Sequence, residues 1–132
     1  MGKLVVAEDW LRFAKMDLVS ARHLCSLHPR PIEVICYHCQ QSAEKAIKAV
    51  EAAHGNEPRK IHDLAILLEQ ALVFAPEIES IRSAALRLTG YSVLTRYPPT
   101  MEMLDADADS ALIDASLVLD CCTVHISTLS VS

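Results

Sequence analysis

Apolar residues recur at steps of three and four along almost the whole chain, a spacing that suits amphipathic helices and leaves no room for a strand's alternation. Between Ala7 and Leu27 the stripe runs through Trp10, Leu11, Ala14, Leu18, Ala21, Leu24 and Cys25, with Glu8, Arg12, Lys15 and Arg22 mostly off it. Pro29 and Pro31 interrupt this helix, and Pro31 suits the first turn of the next because its missing N–H would find no partner there. A second, long helix is predicted from Pro31 to about His54 on Ile32, Ile35, Cys36, Cys39, Ala43, Ala46, Ile47 and Val50, with Gly55 as its stop. A shorter third helix runs from about Ile61 to Phe74, and a fourth follows Pro76 through Ile78, Ile81, Ala85 and Leu88 toward Gly90 and Tyr91. Pro98 and Pro99 forbid regular helix across the stretch from Ser92 to Met103, which is expected to form an ordered or gated loop. The last helix begins among the acids between Glu102 and Asp109, which complement its dipole, and continues through Leu112, Ala115, Leu119, Cys122 and Ile126. The expectation is an all-α, up-and-down bundle of about five helices forming a single domain over residues 1–132. Small residues such as Ala43, Ala46, Ala49, Ala52, Ala84 and Ala85 let neighbouring helices approach closely.

Composition narrows the class of function. A net charge of -5 argues against a surface that wraps nucleic acid indiscriminately, since that requires a continuous footprint of lysine and arginine. A local basic site remains open. No apolar run reaches the roughly 18 to 20 residues expected of a membrane span, and Met1 to Val6 lack the apolar core of a secretory signal, so a cytoplasmic protein is expected. Five cysteines, an odd number, sit mostly within apolar helical patterns and are expected to be reduced, buried thiols.

Two polar clusters stand out from this background: Arg59-Lys60-Ile61-His62-Asp63-Leu64, and Tyr91-Ser92-Val93-Leu94-Thr95-Arg96-Tyr97-Pro98. Both fall at helix boundaries or in loops, where core packing alone does not dictate conformation. In the first, Asp63 suits the N-cap of the third helix while His62 points to the preceding turn; alternatively Arg59, Lys60 and His62 contact an anion. In the second, Tyr91 and Tyr97 offer planar stacking and Arg96 a bidentate phosphate donor. The competing role for these residues is packing, with Tyr91 closing the fourth helix, Tyr97 against Pro98, and Arg96 paired with an acid such as Asp105. Cys36-Tyr37-His38-Cys39 has a C-x-x-C spacing, but Cys36 and Cys39 lie on the apolar stripe and no second pair completes a four-ligand set. Neither a metal nor another cofactor is expected.

Several elements taken in order carry a resemblance to a known family: Trp10, Ala14, Asp17-Leu18 and Ala21; then Cys36-Tyr37-His38-Cys39-Gln40-Gln41-Ser42-Ala43-Glu44-Lys45-Ala46; then Lys60-Ile61-His62-Asp63-Leu64; and finally Tyr91-Ser92-Val93, Thr95-Arg96-Tyr97-Pro98. This pattern resembles the HEPN domain family over nearly the whole chain. The resemblance implies an all-helical bundle, usually a homodimer, often encoded beside a minimal nucleotidyltransferase in prokaryotic toxin–antitoxin systems, with nucleotide binding as the namesake activity. Many members are metal-independent ribonucleases that use an arginine followed about four to six residues later by a histidine for acid–base chemistry at a composite dimer site. Here Arg96 is followed by Tyr97-Pro98-Pro99-Thr100-Met101-Glu102-Met103 without a histidine, and the formal match from Arg22 to His28 ends the first helix, where chance spacing accounts for it.

Two readings follow. The first is a noncatalytic homodimeric binding subunit that engages a nucleotidyltransferase partner, a nucleotide-like ligand or both, through Arg96, Tyr91 and Tyr97 with His62 and Lys45, and with the first or last helix supplying the dimer face. The second is a divergent ribonuclease, toxin-like, acting on RNA through Arg96 and His62.

Overall fold

The computed structural model describes residues 2–95 and 102–129. The long helices are α1 (Lys3–Leu24), α2 (Ile32–Ala53) and α6 (Asp105–Leu129); the shorter ones are α3 (Leu64–Leu72), α4 (Arg82–Leu88) and α5 (Tyr91–Leu94), with a 3-10 helix at Pro76–Ile81 ahead of α4. No strand occurs among the described residues.

Contacts fix the helix directions. Ser42 of α2 donates to the Ala14 carbonyl, and His38 and Lys45 reach Asp17, so α1 and α2 are antiparallel. Arg22 donates to Ser116, while the Leu4 and Ile126 ends of α1 and α6 line one groove, which makes that pair antiparallel too. Arg87 bonds Asp114 and Ser80 meets Cys121, so the segment ending in α4 runs antiparallel to α6. The long helices thus enclose α2, with α3 and α4 closing the remaining side.

That central position changes how α2 is read. The sequence pattern gives it one apolar face, yet from Cys39 to Ala53 every residue except Gln41 and Lys45 is buried. Ala43, Ala46, Ala49 and Ala52 make the close approach feasible, and Ile35, Ile47 and Val50 fill the core with Leu64, Leu67, Leu68 and Leu88. The consequence is a set of buried polar groups, Gln40, Ser42, Glu44, Lys48 and Glu51, each of which needs a partner.

The predicted boundaries hold for α2 and for the start of α6 at Asp105, and shift elsewhere. α1 begins at Lys3, earlier than Ala7. α3 begins at Leu64 rather than Ile61 because Asp63 is its N-cap, its Oδ1 accepting from the amides of Ala65 at 2.9 Å and Ile66 at 3.3 Å. A further free amide, that of Leu64, donates to the Thr89 hydroxyl. The predicted fourth helix is a 3-10 segment followed by α4, which brings Ile78 and Ile81, three residues apart and hence eclipsed, onto the same buried edge. The expected loop after Tyr91 starts as the single-turn α5.

The cysteines take the expected role. All five are free, and Cys36, Cys39 and Cys122 are buried, with burial pushing the Cys36 and Cys39 thiols up to about 12. Such thiols are poor nucleophiles and poor metal ligands at neutral pH. One expectation needs correction: α6 is long and apolar enough, with a mean hydropathy of 1.5 over an 18-residue window, to cross a membrane by length and composition. In this fold it is a core helix, burying Ala111, Ala115, Val118, Leu119 and Cys122, together with Asp114 and His125.

Candidate functional site

Glu44 organises the first polar cluster. Its side chain is 4% exposed, and its Oε1 accepts from Gln40 Nε2 at 3.3 Å and lies 2.8 Å from His62 Nδ1, while Oε2 accepts from Lys48 Nζ at 3.1 Å. Gln40, Glu44 and Lys48 are each four residues apart on α2, so one helix face presents all three. Gln40 also donates to the His62 carbonyl at 3.1 Å, pinning the backbone of the connection as well as the ring. His62 itself is 59% exposed. A buried carboxylate therefore holds Nδ1 and leaves the outer edge of the ring open to solvent, the arrangement by which a carboxylate orients an imidazole for contact or proton transfer.

Lys45 belongs to a different cluster. Its Nζ donates to Asp17 Oδ2 at 2.5 Å, and His38 Nδ1 lies 2.9 Å from Asp17 Oδ1, with Asp17 13% exposed. Asp17 thus ties α1 to α2 through two side chains, and Lys45 and His62 are held by different carboxylates on separate sides of α2. They do not converge within this chain.

Tyr91 opens α5 half-buried and packs against the core, and burial pushes its phenol up to about 12. The packing role weighed for this residue is the one the fold gives it. Arg96 and Tyr97 lie outside the described residues. Asp105, weighed as a partner for Arg96, is bonded by Arg30, which also reaches Asp109 and the Cys25 sulfur and so fastens the turn between α1 and α2 to the start of α6.

The sequence reading missed Glu44 and Lys48 as site residues, although the Gln40-Gln41-Ser42-Ala43-Glu44-Lys45 run carries much of the family resemblance. Their i, i+4 spacing was the available signal. It also missed a second histidine cluster, where the Nε2 atoms of His54 and His125 face each other at 2.9 Å, His125 Nδ1 bonds Glu77, and His54 stacks on Phe74 with centroids 5.1 Å apart. No group of three or more His, Cys, Asp or Glu side chains suited to a metal ion occurs among the described residues.

Fold and site together define a compact all-α bundle with a polar cluster on its central helix pair. A family model described as the HEPN domain matches residues 7–125, and the chain belongs to that family. It is similar to ST0689, an archaeal HEPN homologue of known crystal structure, at 28% identity and a TM-score of 0.71, covering 91% of this chain and 97% of that one. It is also similar to TT1696 from Thermus thermophilus, at 28% identity and a TM-score of 0.61, covering 94% of this chain and 95% of that one. Among curated proteins, none matches the chain.

Proposed function

We propose that this chain is a noncatalytic HEPN binding subunit of the cytoplasm, which recognises a nucleotide-like anionic ligand, assembles as a homodimer and associates with a minimal nucleotidyltransferase of the toxin–antitoxin type. The observation that carries the reading is the anchored but open His62, whose ring is fixed by buried Glu44 and preceded in sequence by Arg59 and Lys60. A preset imidazole beside two cations contacts an anion at little cost in side-chain entropy. Arg96 and Tyr97 act on the same ligand from the second cluster, and half-buried Tyr91 supports the backbone that carries them. The dimer is supported by an apolar groove of about 720 Å³ between α1 and α6, lined by Leu4, Leu11, Met16, Val19 and Ile126, with Met16 and Val19 exposed at its rim.

Calorimetric titration with adenine and guanine nucleotides tests ligand recognition. Binding heat is expected for the wild-type chain and should fall about tenfold in affinity, or vanish, in His62→Ala and Arg96→Ala. Unchanged heat in both variants would overturn the assigned contacts.

One observation favours a second reading. The Glu44–His62 pair has the geometry of an oriented general base, so a ribonuclease that joins His62 to Arg96 across a dimer is the alternative. It requires Arg96 and His62 to act on one RNA phosphate, and both substitutions would then abolish cleavage.

A further inference from the structure

Where α1 begins and α2 ends, a cavity of about 500 Å³ opens beside the connection from Gly55 to Lys60. Its lining joins apolar surface from Trp10, Ala52 and Pro58 with four cations, Lys3, Lys48, Arg59 and Lys60, and Glu57 is the single acid among the lining residues. The concentration of charge is unusual for this chain, which has 12 lysines and arginines against 17 acids. Its size is that of a small-molecule site.

The cations are not equivalent. Lys48 is 8% exposed, is paired with Glu44, and stands 5.6 Å from the centroid of the Trp10 ring, so it stiffens the wall and its charge is already matched. Arg59 is steered by Gln70: with that amide oriented to suit its neighbours, its oxygen accepts from Arg59 Nε at 3.0 Å while its nitrogen donates to Glu51 at 3.2 Å. Lys3 and Lys60 have no carboxylate partner among the described residues. Two cations are therefore held in place by the fold, and two are available to a ligand at the mouth.

We infer that this cavity is the ligand site, and that it takes a phosphorylated heteroaromatic small molecule of mononucleotide size, with its ring against Trp10 and Pro58 and its phosphate on Lys3 and Lys60. The mixed lining calls for both halves of such a ligand: a free phosphate leaves the apolar residues uncovered, and an uncharged nucleoside leaves Lys3 and Lys60 unmatched. This inference rests on the nucleotide-like reading above and moves the centre of recognition from His62 toward the end of α2. His62 lies two residues beyond Lys60 in sequence and is joined to Lys48 of the lining through Glu44.

Trp10 is the only tryptophan in the chain, so the site carries its own reporter. Indole fluorescence, excited at its red edge to avoid nucleotide absorption, is followed during titration of the full chain with AMP, ADP, adenosine and inorganic pyrophosphate. Saturable change with AMP or ADP is expected, with affinity falling about tenfold or more for adenosine and for pyrophosphate. Lys3→Ala and Lys60→Ala should each weaken the response, and the double variant should lose it while keeping the wild-type helical circular dichroism, since both lysines are exposed. Nucleotide heat that survives the double lysine variant but disappears in His62→Ala and Arg96→Ala would overturn the cavity assignment and leave the nucleotide-like reading standing. Pyrophosphate binding as tightly as ADP would overturn the role given to Trp10. Neither heat nor a fluorescence change with any nucleotide would overturn both.

Discussion

Glu44→Ala is expected to destabilise the fold by about 3 kcal/mol, because it strands a buried lysine. Glu44 and Lys48 are both nearly inaccessible, and without Glu44 the lysine keeps only the face of the Trp10 ring and the more distant charge of Glu51. Gln40 retains the His62 carbonyl as an acceptor, so the loss concentrates on Lys48 and on the freed His62 ring. Urea denaturation followed by circular dichroism measures the change. Breaking a buried pair from one side costs more than replacing both partners, so Glu44→Ala/Lys48→Met should recover most of the stability. A single-variant loss below about 1 kcal/mol, within the range of exposed pairs, would mean that the pair is solvated in solution.

The second large effect is loss of stability on acidification, centred on His54 and His125. Two Nε2 atoms 2.9 Å apart share one hydrogen, and a second proton between them would set two N–H groups against each other. Burial lowers the His54 pKa below its ordinary value of 6.5, the facing His125 and Lys3 of α1 lower it further, and Glu77 opposes them only in part. The unfolded chain therefore binds a proton near pH 6.5 that folded His54 refuses, so the stability from this group is complete above that pH and declines below it. Glu77 acts in the same direction at lower pH: its own backbone amide and then His125 hold its pKa below the ordinary 4.5, and its contribution is lost as pH falls through the folded value. The urea midpoint should drop between pH 7.5 and pH 5.5, and His54→Gln should flatten that drop. A midpoint independent of pH in the wild-type chain would show that the histidine pair opens freely.

How much of this was legible in the sequence depends on the range over which each feature is determined. The Asp63 cap was readable because it involves only the amides two and three residues on, and the long helices because their apolar period repeats many times. Cys36 and Cys39 declared themselves as core residues by the same period. The 3-10 segment before α4 was not readable, since Ile78, Ile81, Ala85 and Leu88 satisfy a helical spacing whichever hydrogen-bond pattern they adopt. Burial of Glu44, Lys48 and Glu51 was hidden for a different reason: they lie off the apolar face and become enclosed only when α1, α3 and α6 surround α2 on every side. The cavity is hidden in the same way, because Lys3 and Trp10 meet Lys48 and residues 55–60 only through the antiparallel pairing of α1 with α2. Lys45 groups with His62 as a candidate ligand contact in the sequence, yet it turns toward Asp17 on α1. Arg96 and Tyr97 stand in the sequence as candidate recognition residues and lie outside the described residues.

If this HEPN chain binds without cutting, as proposed, incubation of the purified protein with single-stranded RNA in the presence of a chelator should leave the RNA whole. Intact RNA is expected over the full time course for the wild-type chain and for His62→Ala and Arg96→Ala alike. Cleavage by the wild-type chain that both substitutions abolish would contradict it and establish the Glu44–His62 pair as the catalytic base of a ribonuclease.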